Sequence, residues 1–129
     1  MSIQLSWAPH GIYRTYAGYI TAQELSDTVT RAHVDPRYDD VKFQISDLLG
    51  ITGFENAQES VEELAALVFG AVTGHRKICM AYVATDPQVI EIVQLARSVI
   101  GDGCLTGLFP TVQEAEAWVH KTLNAPGFY

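Results

Sequence analysis

Alternation of apolar and polar residues is the clearest signal in the first third of the chain, where it marks three strands. Residues 3–7 and 12–17 form two such runs, separated by a turn that contains proline and glycine. Residues 41–47 alternate most strictly. We predict that the first two runs form a hairpin whose second strand ends at Gly18, and that the third run is the central strand of a sheet.

A helix is predicted between the second and third strands. Thr21 and Glu24 have the spacing of a capping box, in which the hydroxyl and the carboxylate each bond an otherwise unpaired backbone N–H. The helix is predicted to end at Asp35, because the residue before a proline is disfavoured in the helical region. Its inner face is predicted to carry Leu25, Val29 and Ala32.

A loop and then a strongly apolar helix are predicted after the central strand. Residues 48–54 contain two glycines among apolar side chains, which is typical of a loop that folds back onto the core. Residues 56–59 cap the second predicted helix, whose apolar positions span roughly 200°, against the ~100° of a one-sided surface helix. We therefore expect this helix to be covered on more than one side.

Polar and apolar positions suggest that the strands are covered unequally. Residues 78–84 are apolar at every position, which is typical of a strand buried on both faces. Polar residues occupy alternate positions in the first strand and, as Lys42, Gln44 and Ser46, in the central one. We expect that one face of the sheet is less fully covered.

Two more helices and a last strand complete the pattern. Residues 85–87 provide a cap and a first-turn proline for a third predicted helix, which reaches about Ile100. Its apolar residues fill an arc of roughly 160°, and Ile90 falls outside that arc and is expected to be partly exposed. Residues 104–109 form a short strand, and Thr111 opens a fourth helix. That helix is predicted to bury Ala115, Trp118, Val119 and Thr122.

This order of elements predicts a single α/β domain over residues 1–129, with an N-terminal β-hairpin followed by a βα superhelix and a mainly parallel sheet. The net charge of -7 argues against a nucleic-acid or anionic-membrane surface, since both require clustered Lys and Arg. No apolar run has the ~18 residues of a transmembrane segment, so we expect a cytoplasmic protein. Cys79 and Cys104 lie in apolar segments and are expected to be reduced and buried.

The chain resembles the SpoIIAA-like (STAS) domains, the fold of the anti-sigma-factor antagonists, which is similar to that of the lipid-binding Sec14 (CRAL-TRIO) domains. Gly18 before a Thr-capped helix and, above all, residues 47–57 carry this resemblance. Antagonists of the family have an Asp-Ser-Ser-Gly run in which the second serine is phosphorylated. Glu55, Asn56, Ala57 and Gln58 stand there in this chain. Because Ala57 has no hydroxyl, the resemblance does not extend to the family's phosphorylation switch.

Catalytic and metal-binding chemistry find little support in the sequence. The four histidines are scattered, and no pair has the i, i+4 spacing of a zinc-binding helix face. Cys79 lies inside an apolar strand, where burial raises the pKa of a thiol and hides it. Asp47 is expected to accept backbone N–H bonds from the segment that follows it. We therefore expect no enzyme, no metal and no cofactor.

Two functions are compatible with these observations. The first is a non-catalytic module that binds a small apolar or amphipathic, lipid-like ligand between the second and third predicted helices. The residues expected to line that site are Leu64, Leu67, Val68, Phe69, Ile90 and Val93. The second is a regulator of the antagonist type that binds a protein partner. Its contact residues are expected to be Gly53, Phe54, Glu55, Asn56 and Ala57. The same apolar helices are also compatible with a homodimer interface.

Overall fold

A five-stranded mixed sheet forms the centre of the protein. The computed structural model describes residues 2–55, 78–100 and 105–125. The strands are β1 (Ile3–Ala8), β2 (Gly11–Ile20), β3 (Phe43–Phe54), β4 (Cys79–Val83) and β5 (Leu105–Phe109), and they lie side by side in chain order. β1 and β2 form an antiparallel hairpin, while β2 to β5 are parallel. The predicted α/β class, with a hairpin followed by a mainly parallel sheet, is confirmed.

The helices in the described part of the chain are α1 (Ala22–Val34), α2 (Pro87–Ile100) and α3 (Val112–Leu123), and a short 3-10 helix spans Pro36–Asp40. α2 is the third predicted helix and α3 is the fourth. The second predicted helix lies outside the described residues. Residues 101–104, the last of which begins the predicted last strand, also lie outside them.

The predicted caps of α1, α2 and α3 are confirmed, and the cap predicted at residues 56–59 lies outside the described residues. The Thr21 hydroxyl accepts the Glu24 N–H at 3.2 Å, and the Glu24 carboxylate accepts the Thr21 N–H at 2.9 Å, so both bonds of the capping box are present. Asp86 accepts the Gln88 N–H at 2.8 Å at the start of α2. Helix α1 ends before Asp35, whose backbone is extended, as expected for a residue that precedes proline.

The two faces of the sheet pack against different helices. Helices α1 and α2 cover one face, where Leu25 and Val93 share a buried cluster with Tyr16 of β2 and Leu48 of β3. We call this face the α1 face. Helix α3 covers the other, the α3 face, where its residues Ala115 and Val119 pack with five buried residues of β3 and β4. Those five are Phe43, Ile45, Cys79, Ala81 and Val83.

Contrary to the prediction, the polar residues of β3 do not lie on a less covered face of the sheet. Gln44 and Ser46 are both buried, and they point towards the α1 face, in register with the buried Ile12 and Arg14 of β2. The polar residues of β1, Gln4 and Ser6, are exposed. They alternate with Ile3 and Leu5 and so lie on the opposite side of the sheet. Polar alternation therefore marks an exposed surface in the edge strand and a buried polar row in the middle strand.

The predicted ends of the second and third strands are also wrong. β2 runs past Gly18 to Ile20, and β3 includes residues 48–54, which were predicted to be a loop. The two extensions pair with each other, with register shifts after Thr15 and after Gly18. Bulges of this kind let two strands stay paired through glycine-containing segments that break the simple alternation.

Candidate functional site

Beyond the five-stranded part of the sheet, β2 and β3 continue as a two-stranded ribbon, which we define as residues 17–20 and 48–54. The register between β1 and β2 ends with the pair Ile3 and Tyr16. The register between β3 and β4 ends with Asp47 and Val83. Within the described residues, the ribbon therefore projects past both neighbouring strands at the carboxyl end of the parallel sheet.

The ribbon has one buried face and one exposed face. Ile20 and Ile51 are buried in the cluster beneath α1 and α2. Tyr19 is 56% exposed on the other side, and Leu49, in the bulged part of β3, is 47% exposed. A β-carbon on Gly53 would lie 3.2 Å from the Tyr19 ring, so the ring rests close to this glycine. Two large apolar side chains of the ribbon are thus about half exposed.

Hydrogen bonds tie the end of the ribbon to the start of α1. The Glu55 N–H donates to the Ile20 carbonyl at 2.8 Å, and the Glu55 carboxylate accepts the Ala22 N–H at 3.3 Å. The backbone N–H of Thr21 and then the Ser2 side chain lower the pKa of Glu24. Both carboxylates therefore bond to groups at the start of α1, where the helix dipole favours negative charge.

The predicted partner-binding residues divide between strand and undescribed chain. Gly53 and Phe54 are half-buried and end β3, and Glu55 follows them directly. Phe54 packs against the cluster that contains Ile20 and Ile51. Asn56 and Ala57 lie outside the described residues.

The predicted ligand-binding residues divide in the same way. Val93 is buried in the cluster beneath α1 and α2, and Ile90 is half-buried and packs against that cluster, as Phe54 does. The structure therefore brings Ile90, Val93 and Phe54 together, although they were predicted to serve two different surfaces. The other predicted ligand-binding residues, Leu64, Leu67, Val68 and Phe69, lie outside the described residues.

A buried polar row on the α1 face was not predicted from the sequence. Arg14 is 5% exposed and Gln44 is 4% exposed, and an Arg14 Nη1–H donates to the Gln44 Oε1. Burial raises the pKa of Tyr16, while the Arg14 charge and a Ser46 hydrogen bond act in the opposite direction. One signal was present in the sequence, because Arg14 occupies an inward position between Ile12 and Tyr16 of β2.

Groups with catalytic potential are held in structural roles. Cys79 is fully buried in β4, as predicted. Asp47 accepts the Leu49 N–H at 3.1 Å, which confirms its expected bond to the following segment. Among residues 2–55, 78–100 and 105–125, no three His, Cys, Asp or Glu side chains lie close enough together to hold a metal ion.

Comparison with solved structures decides the fold. The chain superposes on the anti-sigma factor antagonist SpoIIAA in its unphosphorylated form with a TM-score of 0.64 and 12% sequence identity, over 92% of this chain and 97% of that one. The fold is SpoIIAA-like. An uncharacterised protein of the DUF3478 family with a SpoIIAA-like fold, from Shewanella loihica, matches with a TM-score of 0.60 and 10% identity, over 91% of both chains.

Comparison by sequence adds no match. No protein-family model and no curated protein matches the chain. The predicted SpoIIAA-like fold is confirmed by the structural similarity, whereas the likeness to Sec14 domains stays a prediction. No helix in the described part of the chain has the length and hydropathy needed to span a bilayer.

Proposed function

We propose that the protein is a non-catalytic regulator that acts by binding another protein through the exposed face of the ribbon. The SpoIIAA-like fold supports this proposal, because one of the similar solved structures is that of an anti-sigma factor antagonist. The observation that carries it is the exposure of Tyr19 and Leu49 on one short ribbon, since neighbouring exposed apolar side chains are typical of a protein-binding site. Tyrosine in particular is enriched at protein interfaces.

The ribbon suits such contact for a second reason. Its inner face is held by Ile20 and Ile51 in the core, and Glu55 bonds its end to α1, so the outer face is presented on a fixed backbone. A rigid surface loses less conformational entropy on binding than a flexible loop does.

Site-specific photocrosslinking in the native cell tests this proposal. A photoreactive phenylalanine analogue replaces Tyr19 in one variant and Val34 in the control, because Val34 is 75% exposed at the end of α1 and away from the ribbon. We expect a discrete crosslinked protein from position 19 only, lost when Leu49→Ser is added. Crosslinking to a second copy of the chain identifies a homodimer instead. Equal crosslinking at positions 19 and 34 contradicts the proposal.

A second candidate function is the binding of an apolar or amphipathic ligand beside α2. The favouring observation is a set of half-buried apolar side chains around the cluster that contains Val93. Such a rim of partly exposed apolar groups is typical of the mouth of a small-molecule site. Its members are Phe54, Tyr82, Ile90 and Leu108.

Native mass spectrometry of gently purified protein tests for such a ligand. We expect a co-purifying apolar molecule, and we expect Ile90→Glu to release it because a charge at this rim is costly to desolvate. Val99→Glu is the matched control, since Val99 lies on the same helix and is exposed. If no molecule co-purifies and a hydrophobic dye does not bind, the proposed apolar ligand site is contradicted.

A further inference from the structure

Within the described residues, no opposite charge is paired with the buried guanidinium of Arg14. The ion pair described in the structure joins Arg37 to Asp35, and the side-chain hydrogen bond described for Arg14 goes to the neutral amide of Gln44. Removing a charge from water without an ionic partner is strongly unfavourable, and proteins rarely tolerate it unless another group supplies the missing charge.

Three polar atoms, one of them in this guanidinium, are buried and have no hydrogen-bond partner within the described chain. They are the Arg14 Nε, the Gln44 Nε2 and the Thr28 Oγ1. Arg14 Nε and Gln44 Nε2 can only donate hydrogen bonds, and the threonine hydroxyl can donate one. An unmade bond at a buried donor costs about 1–3 kcal/mol. These donors therefore match an acceptor that the described residues do not provide.

The positions of the three residues bring them to one part of the α1 face. Arg14 lies between Ile12 and Tyr16 along β2, while Thr28 lies one helical turn from Leu25 and from Ala32 along α1. Leu25 packs in the cluster of Tyr16, and Ala32 packs in the cluster of Ile12. Thr28, which is 1% exposed, thus lies over the Arg14 segment of the strand.

We propose that Arg14, Gln44 and Thr28 form a receptor for the carboxylate of a small monoanionic ligand. A carboxylate has two acceptor oxygens and one negative charge, which match the donors and the single guanidinium of the row.

A phosphate dianion is a poorer match. Among the titratable groups of α1, His33 has its pKa lowered by burial and then by the Arg14 charge, so it supplies no second positive charge at neutral pH. The surrounding apolar residues, including Ile12 and Met80, make an unbalanced second negative charge costly.

Binding is measured by thermal shift and by calorimetry at constant ionic strength. The probes are acetate, butyrate and decanoate, with decanol, inorganic phosphate and chloride as comparisons. We expect saturable stabilisation by the carboxylates and none by decanol, phosphate or chloride. Equal stabilisation by acetate and decanoate indicates a small free acid as the ligand, whereas stronger stabilisation by decanoate indicates the carboxylate headgroup of an amphipathic acid. Decanol also separates this inference from the ligand candidate proposed above, because it tests apolar binding without a carboxylate.

Two variants test the role of the row itself. Arg14→Met removes the buried charge at similar volume, so it is expected to bind carboxylates at least tenfold more weakly while its urea midpoint does not fall. Gln44→Glu places a carboxylate beside Arg14, so it is expected to raise the urea midpoint and to abolish the response to added acids.

Several outcomes overturn the inference. They are a wild-type protein that carboxylates do not stabilise, phosphate as the better ligand, and an Arg14→Met protein that binds acids as tightly as the wild type. If Arg14→Met does not fold, Thr28→Val takes its place, because valine is nearly isosteric and removes one donor only. Unchanged carboxylate binding in Thr28→Val and Gln44→Glu then contradicts the receptor.

Discussion

Gly18 and Gly50 allow β2 and β3 to continue as the ribbon. Gly18 has a φ of 75°, which side chains disfavour, although nothing lies within 4 Å of where its β-carbon would be. A β-carbon on Gly50, by contrast, would lie 2.9 Å from the Tyr16 carbonyl oxygen. The first glycine is therefore required by backbone conformation and the second by close approach of the neighbouring strand.

Substitutions at these glycines are expected to differ in kind. Gly18→Asn is expected to be tolerated, because asparagine enters the left-handed region more readily than most residues, whereas Gly18→Val is expected to cost about 1–2 kcal/mol. Gly50→Ala is expected to cost more than Gly18→Asn, because the backbone of β2 must move. Urea midpoints of the three variants measure this order. A silent Gly50→Ala contradicts the close pairing of the ribbon.

The N-caps of α1 and α3 allow a matched comparison between two threonines. The Thr21 hydroxyl accepts the Glu24 N–H at 3.2 Å, and the Thr111 hydroxyl accepts the Glu114 N–H at 3.2 Å and also donates to the Glu114 carboxylate at 3.5 Å. We expect Thr21→Ala and Thr111→Ala each to lower the free energy of unfolding by about 1 kcal/mol, because each removes the hydroxyl that accepts a backbone N–H at a helix N-terminus. Chemical denaturation measures both losses, and a substitution with no effect contradicts the cap at that threonine.

At the scale of elements, Tyr13 and Glu116 join β2 to α3. The Tyr13 hydroxyl donates to the Glu116 carboxylate at 2.8 Å, and the Tyr13 ring meets Phe43 edge-on with 5.8 Å between ring centroids. Burial, then the Glu116 hydrogen bond, then the Glu116 charge raise the pKa of Tyr13 to about 12. The hydroxyl form is therefore favoured when strand and helix are packed.

This contact predicts an alkaline dependence of stability. Because folding raises the Tyr13 pKa from about 10, its contribution to stability is complete below pH 10 and is lost as the pH rises through about 12. The difference in ultraviolet titration between wild type and Tyr13→Phe is expected to show one tyrosine that ionises near pH 12. In Glu116→Gln, ionisation of Tyr13 is expected at lower pH. An unchanged titration in Glu116→Gln contradicts the contact.

The elements that the sequence predicts well are those set by local interactions. The hairpin, α1 with its capping box, β4 and the starts of α2 and α3 follow from alternation, caps and proline. The ribbon does not, because Gly50 and Gly53 are typical of a loop and only pairing with β2 makes that segment a strand. The buried Arg14 was missed for a similar reason, since the burial of a polar row depends on helices that pack over the strand from elsewhere in the chain.

For the whole molecule, we expect the local stability of the sheet to depend on whether a segment pairs with two neighbouring strands or with one. Residues 43–47 of β3 pair with β2 and β4, whereas the ribbon residues 50–54 pair with β2 alone within the described chain. Amides paired on fewer sides and nearer to solvent open more easily. We expect hydrogen exchange to be slowest in residues 43–47 and in β4 and faster in residues 50–54. Equal protection throughout β3 contradicts this gradient.

The order of the strands in the sheet, which is their order in the chain, also bears on how the protein forms during synthesis. The hairpin of β1 and β2 emerges first and pairs its own two strands within a short stretch of sequence. Each later strand adds to the free edge left by the one before it, so no strand has to insert between two that are already paired. The nascent chain can therefore extend a native edge step by step as it leaves the ribosome, and the pairing of β4 with β5 is completed last.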